Sequence, residues 1–304
     1  MLELKRRFRL EWNRLDRPLA RPELLLGVRN AEGVIAMLND PIDSAVMAAA
    51  PRLRIIANYA VGYNNIDVAA ASRRGIDVTN TPGVLTEATA DLAWALILAA
   101  ARRLPEGEAL VRSGRWTGWA PTQLVGGDIY GKTIGVVGMG RIGQAVARRA
   151  QGFAMDIIYY SRHRLPLLKE VVLGARYQPL KTLLQEADVV TLHLPLTKES
   201  RHLIDGPALR LMKPTAYLIN TARGPVVDQA ALMTALKQKR IAGAGLDVYE
   251  DEPRVPPALR RLTNVVLLPH LGSAARETRV RMGLMVIDNL TARFGGHQPP
   301  NKVN

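Results

Sequence analysis

Arg223, Glu252 and His270 each stand just after a short apolar run, and each carries a side chain able to act on a small anionic substrate. A guanidinium offers a forked set of donors to paired oxygens. An imidazole donates and recovers a proton near neutral pH. The runs are residues 216–220 before Thr221-Ala222-Arg223-Gly224, 244–248 before Glu252-Pro253, and 265–268 before Pro269-His270. A fourth run, 187–192, ends at His193-Leu194-Pro195. In an open parallel sheet, ligands gather outside the carboxyl ends of the strands, so these four ends would present His193, Arg223, Glu252 and His270 to one crevice. Taken singly, each residue also has a plain structural use: a hydrogen-bonded histidine, a solvated glutamate before proline, an arginine capping carbonyls. Their order at successive strand ends makes a joint coincidence hard to sustain.

The element upstream strengthens the case. Residues 132–137 read as a strand and run straight into Gly138-Met139-Gly140-Arg141-Ile142-Gly143, with a helical pattern from Gln144 to Ala150. In such a turn the first glycine permits the tight bend, the second lets backbone approach a pyrophosphate, and the third lets helix and strand pack closely. The helix N-terminus attracts the anion. Three spaced glycines alone are weak evidence, but the flanking strand and helix point to a dinucleotide site. The next strand, 155–160, ends at Ser161-Arg162-His163-Arg164. An NAD site places a carboxylate near this position for the ribose hydroxyls. Here three potentially cationic groups follow a serine, which favours a 2′-phosphate and hence NADP(H) over NAD(H), with NAD(H) still possible. The competing explanation is an exposed basic turn that contacts nothing.

The elements that must hold these residues alternate, strand with helix, so the fold class is α/β with parallel sheets. Residues 53–58 and 75–79 add two strands near the start, and Thr81-Pro82-Gly83 breaks the pattern. Thr86 opens a long apolar helix through Leu104, and Pro105 with Gly107, Gly114 and Gly118 predicts an irregular stretch after it. The first domain boundary falls near Gly83.

Composition narrows the function classes. The chain has 304 residues, enough for two domains. No apolar stretch reaches the ~20 residues of a membrane span. The N-terminus lacks an apolar signal core, and its basic residues are interrupted by Glu3, Glu11 and Asp16, which argues against a transit peptide and for the cytoplasm. The absence of cysteine excludes disulfides, thiolate metal sites and a cysteine nucleophile, and no histidine–carboxylate spacing suggests a metal. The net charge of +14 could mean nucleic-acid binding, anion steering or compositional bias. The basic residues are spread along the chain without aromatic interleaving or a recognisable module, so a solvated arginine-rich surface is favoured and no nucleic-acid partner is expected.

Six segments together resemble the D-isomer-specific 2-hydroxyacid dehydrogenase family, most closely its glyoxylate/hydroxypyruvate reductase branch. They are residues 58–67 (NYAVGYNNID), 80–91 (NTPGVLTEATAD), 138–143 (GMGRIG), 220–224 (NTARG), 245–248 (GLDV) with 251–253 (DEP), and 269–273 (PHLGS). The resemblance spans nearly the whole chain and implies two doubly wound parallel-sheet domains. A flavodoxin-like substrate domain would come from residues 1–82 and 272–304, and a central Rossmann domain from 83–271. It implies a homodimer with the helix 86–104 at the interface. It makes His270 the proton donor to the keto oxygen, Glu252 the partner that stabilises its protonated form, and Arg223 the ligand of the substrate carboxylate and keto oxygen. Val61 and Gly62 would help hold the carboxylate, with Leu38 and Ser273 also at the substrate. Trp116 and Trp119 would line or border the side-chain pocket. The cofactor would lie on Gly138, Gly140, Arg141, Ile142 and Gly143, the turn 161–164, His193, Pro195, Thr221, Ala222, Asp247 and Gly272. The remaining histidines, His202 and His297, are assigned no role.

Two departures stand out. Family members open with a strand and helix before the segment matching residues 8–12, and this chain is expected to lack that unit, leaving a sheet edge open. Asn64 stands where the family often has aspartate. Three functions fit: reduction of glyoxylate and hydroxypyruvate, oxidation or reduction of another D-2-hydroxy acid, or a non-catalytic dinucleotide-sensing corepressor.

Overall fold

Short runs of aliphatic and β-branched residues form ten strands among the described residues: β1 (Gly33–Ala36), β2 (Ile55–Asn58), β3 (Asp77–Thr79), β4 (Thr133–Val137), β5 (Asp156–Tyr160), β6 (Ala175–Tyr177), β7 (Val189–Leu192), β8 (Tyr217–Asn220), β9 (Gly243–Leu246) and β10 (Val265–Leu267). The computed structural model describes residues 2–15 and 17–304. Asp16, weighed above against a transit peptide, lies outside the described residues. Two units separate: Met1–Leu85 with Ala274–Asn304, and Thr86–Ser273.

In the first unit β1, β2 and β3 pair in that order, all parallel. Alternate residues of β2 serve opposite faces. Ile55 and Ala57 pack with Val286 and Leu290 of the helix Arg276–Phe294, while Ile56 packs with Val46, Met47, Ala70 and Ala71 of the helices Ser44–Ala49 and Val68–Arg73. Helices therefore cover both faces, as the fully buried β2 requires.

The second unit holds a seven-stranded parallel sheet in the order β10-β9-β8-β7-β4-β5-β6. The chain leaves β4 towards β6, then returns to the other side of β4 at β7, which makes the β4/β7 junction the point where the winding reverses. On β4 and β5, Ile134, Val136, Ile157 and Tyr159 join one core, and Val137 and Ile158 join the other. Each such aliphatic side chain, fully buried, contributes roughly 1.5–3 kcal/mol. The helix Thr86–Ala101 lies over β9, where Gly245 leaves only 3.0 Å between a hypothetical Cβ and Leu96 Cβ. Trp94 on that helix stacks on Phe153 with centroids 4.5 Å apart and donates its indole N–H to the Val146 carbonyl.

Two sequence expectations need correction. The long helix stops at Ala101 rather than Leu104, because Arg103 turns to φ 54°, and a second helix, Leu104–Arg112, begins there. Pro105 sits in its first turn, where a missing N–H costs nothing, and Gly107 lies inside it, so 104–112 is helical, while the stretch around Gly114 and Gly118 is irregular as expected. β1 and β6 are additional to the strands expected from sequence. No helix among the described residues is long and apolar enough to cross a membrane.

Candidate functional site

The crevice in the second unit is built from the carboxyl ends of its strands, beginning with β4. Gly138 has φ 98°, donates its N–H to the Tyr160 carbonyl, and passes so close to β7 that a Cβ there would meet the His193 carbonyl carbon at 2.7 Å. Gly143, in the helix Arg141–Ala150, faces the Gly138 carbonyl with room for no side chain. Both glycines are demanded by packing. Gly140 is different: a Cβ there would meet nothing within 4 Å, and the residue caps the N-terminus of the same ten-residue helix. Open space above a helix N-terminus with free N–H groups fits a pyrophosphate, so these residues suit a dinucleotide.

At the end of β5 the basic turn divides by role. Arg164, itself exposed, is held by a buried partner: its Nε and Nη2 each donate to the Glu170 carboxylate at 2.8 Å. Tyr159 donates its hydroxyl to the same carboxylate at 2.6 Å and accepts the Leu165 N–H at 2.8 Å. These two donors hold the Glu170 carboxyl down at about 2, the Arg164 bond being the larger influence. Arg162 and His163 stay exposed. Arg162 also lies close enough to Glu199, on the loop after β7, to help lower that carboxyl after the larger effect of the Thr197 hydroxyl.

His193 closes the end of β7. Its Nε2 lies 2.8 Å from Thr191 Oγ1 and its Nδ1 3.4 Å from Thr221 Oγ1. Burial pushes the imidazole down to about 3, so it is neutral. The neighbouring loop is knit by Ser200, whose hydroxyl donates to the Pro195 carbonyl at 2.7 Å.

After β8, Asn220 organises the Thr221-Ala222-Arg223 turn. It is buried, accepts the Ala222 N–H at 3.0 Å and donates to the Arg223 carbonyl at 3.0 Å. Burial lowers the Arg223 guanidinium from its ordinary value, against the pull of Glu252. Glu252, beyond β9, accepts the Tyr249 N–H on Oε1 at 3.0 Å and pairs through Oε2 with His270 Nδ1 at 2.8 Å. Burial would raise its carboxyl, but the His270 bond, the Tyr249 amide and Arg223 together hold it below the ordinary range. With Nδ1 occupied, Nε2 is the His270 nitrogen left to exchange a proton outward.

Asp247 positions that histidine. The Asp247 carbonyl accepts the His270 N–H at 2.9 Å, and its carboxylate accepts the N–H groups of Leu271 at 2.6 Å and Gly272 at 2.8 Å. Thr89 donates to the Gly272 carbonyl at 3.0 Å from the long helix. These bonds hold His270 at φ 56°, a conformation an L residue keeps only when its surroundings fix it. Burial raises the Asp247 carboxyl despite its two amide donors.

The structure thus gathers Gly138, Gly140, Gly143, Ser161, Arg162, His193, Thr221, Arg223, Asp247, Glu252, His270 and Gly272 around strand ends of one sheet. Arg164 is spent on Glu170, and Trp116 and Trp119 are exposed at 53% and 84%. In the first unit, buried Asn58 donates to the Gly62 carbonyl at 2.8 Å and Asn80 to the Val61 carbonyl at 2.9 Å, which fixes the loop after β2. Leu38, after β1, is half-buried. Sequence reasoning assigned no role to Asn220, Glu170 or the two first-unit asparagines. Asn220 and Asn58 could have been suspected as amides ending apolar strands, where a side chain must satisfy backbone as the ladder stops.

Comparison with known proteins agrees with this geometry. Residues 94–272 match the family model described as "D-isomer specific 2-hydroxyacid dehydrogenase, NAD binding domain". A glyoxylate reductase of Thermococcus kodakarensis is 56% identical over 99% of this chain and 91% of its own length. One from Pyrococcus furiosus is 53% identical over 99% and 90%. Among solved structures, the TT0316 protein of Thermus thermophilus superposes with a TM-score of 0.89 at 49% identity, covering 95% of this chain and 91% of that one. An NADPH-dependent glyoxylate/hydroxypyruvate reductase of Sinorhizobium meliloti, solved with NADP and malonate, gives 0.84 at 42% identity, covering 91% and 85%. With a family model over more than half its length and relatives this similar end to end, the chain belongs to the D-isomer specific 2-hydroxyacid dehydrogenase family.

Proposed function

We propose that this chain is an NAD(P)H-dependent reductase of small 2-keto acids, turning glyoxylate into glycolate and hydroxypyruvate into D-glycerate. The single observation that carries the chemistry is the Glu252–His270 pair at 2.8 Å, with Arg223 close enough to act on Glu252, beside a glycine turn suited to a dinucleotide. The bound nicotinamide supplies the hydride that reduces the keto carbon. Arg223 holds the substrate carboxylate and the keto oxygen, and its burial sharpens that attraction. His270 delivers a proton from Nε2 to the oxygen as it gains charge. Glu252 on Nδ1 fixes the ring's orientation. Asp247 and Thr221 border the nicotinamide end. Relatives bearing the name glyoxylate reductase support the substrate class.

NADP(H) is the preferred cofactor in this proposal, with Arg162 and His163 the readers of the 2′-phosphate and Arg164 their internal support. Residues 83–271 bind the dinucleotide, and residues 1–82 with 272–304 hold the substrate through Val61, Gly62 and Leu38. The chain acts as a cytoplasmic homodimer, supported by exposed Leu104, Val111 and Tyr130 after the long helix.

The test follows the absorbance of NADPH, and separately NADH, with glyoxylate and hydroxypyruvate. Oxidation that depends on the keto acid, is faster with NADPH, and falls about 10²–10⁴-fold in His270→Gln while NADPH binding persists is the expected result. Folded protein that binds NADPH but turns over neither acid refutes the proposal.

A further inference from the structure

A second histidine–carboxylate pair, His202 with Glu250, has its carboxylate two residues before that of the first, and the chemistry proposed above leaves it idle. His202 Nε2 stands 2.5 Å from Glu250 Oε1. His202 belongs to the loop after β7 and Glu250 to the loop after β9, so the contact joins segments 48 positions apart. The chain neighbours of both residues matter. The His202 N–H donates to the Pro225 carbonyl at 2.8 Å and Ile204 N–H to the Val226 carbonyl at 3.1 Å, which ties the β7 loop to the segment that follows Arg223. Glu250 precedes Glu252 by two residues, and the intervening turn is closed by the Tyr249 N–H on Glu252 Oε1. Independently, Gly224 lies against the Tyr249–Glu250 peptide, where a Cβ would come within 1.8 Å of the Tyr249 oxygen and 2.5 Å of the Glu250 nitrogen. The Arg223 segment and the Glu252 segment therefore meet backbone to backbone, with His202 and Glu250 fastening them from the side.

We propose that His202 and Glu250 are positioning residues, a clamp that locks the loop carrying Arg223 to the loop carrying Glu252 and so sets where Glu252 meets His270. The proposal rests on the keto-acid reductase function given above. Both side chains are partly exposed, at 38% and 27%, and a pair so placed adds little to global stability. Its effect is on registration between two loops, where a displacement of the order of 1 Å costs far more in turnover than in folding.

The test compares His202→Phe and Glu250→Ala, which remove the contact, with His202→Gln and Glu250→Gln, which keep a hydrogen bond. Turnover of glyoxylate and binding of NADPH are measured, together with hydrogen exchange at the Tyr249 amide in the absence of substrate. The disrupted variants are expected to lose about tenfold or more in kcat with NADPH affinity and melting temperature unmoved, and to exchange faster at Tyr249. The glutamine variants should recover most of the loss, and the double disruption should cost no more than either single one. Unchanged kcat with unchanged Tyr249 exchange overturns the clamp. So does a loss of kcat shared by NADPH binding and not rescued by glutamine, which marks general structural damage. Should the disrupted variants fail to fold, Glu250→Asp shortens the reach and is read the same way. If the parent protein turns over no keto acid but Tyr249 exchange still quickens in the variants, the clamp stands and the reductase function falls.

Discussion

Gly224→Ala places one methyl group where two loops of the site touch. Gly224 does not occupy the positive-φ region, so alanine suits its backbone and the effect is steric alone. The added Cβ would lie 1.8 Å from the Tyr249 carbonyl oxygen and 1.9 Å from its carbon. Restoring a 3.0 Å approach from 1.8 Å requires the two chains to part by about 1.2 Å. Neither side yields easily, because both atoms belong to backbone. Asn220 pins the Arg223 turn on one side, and Glu252 accepts the Tyr249 amide on the other. A shift of about 1 Å between Arg223 and the Glu252–His270 pair predicts a loss near 10²-fold in kcat/KM, or about 2.7 kcal/mol of transition-state stabilisation. Overpacking should cost roughly 1–3 kcal/mol of folding stability. The assay is steady-state glyoxylate reduction, with NADPH affinity measured by fluorescence in parallel. NADPH affinity should hold, since the glycine turn lies on other strands. A folded Gly224→Ala protein with kcat/KM close to the parent's would refute the claim that these loops must stay in contact.

The basic turn and the buried imidazole yield two further outcomes. Arg162→Ala should lower the NADPH:NADH ratio of kcat/KM by about tenfold or more, because a charge-assisted phosphate contact contributes roughly 1.5–3 kcal/mol. Arg164→Ala should weaken both cofactors alike by loosening the turn; a ratio moved only by Arg164→Ala would reverse the assignment. His193 is held neutral with a value of about 3, whereas the unfolded chain takes up a proton below about 6.5. The folded state thus binds fewer protons across that window, and stability should fall as pH drops from about 6.5 towards 3, by up to ~1.4 kcal/mol per pH unit. His193→Gln should flatten that limb in urea melts taken at several pH values, and a limb of unchanged slope would exclude His193 as its source.

Much of the site was legible because its parts are local. Gly138, Gly140 and Gly143 declare themselves by spacing between a strand and a helix, and Arg223, Glu252 and His270 each follow an apolar run that becomes β8, β9 or β10. What the sequence hid was decided by partners elsewhere. Arg164 reads as a phosphate ligand until Glu170, six residues further on in the helix Leu167–Leu173, takes its guanidinium. The end of the long helix turned on Arg103, a residue type that carries no signal for positive φ. β1 and β6 are only four and three residues long, and β6 includes an exposed arginine, so neither stood out as an apolar run. His202 looked idle because its carboxylate is 48 positions away.

The reversal of winding at β4 and β7 divides labour along the sheet. On one side lie β5 and β6 with the turn at 161–164, to which the proposal gives the 2′-phosphate. On the other, β8, β9 and β10 deliver Arg223, Glu252 and His270. The chain visits these halves one after the other, so each is encoded by its own uninterrupted stretch of sequence. On the proposed assignment, a lineage could trade one nicotinamide currency for the other by altering a few codons around 161–164, leaving the half that carries Arg223, Glu252 and His270 as inherited. Changes of substrate would fall on loops in the remaining segments, so the two properties are free to drift on separate schedules.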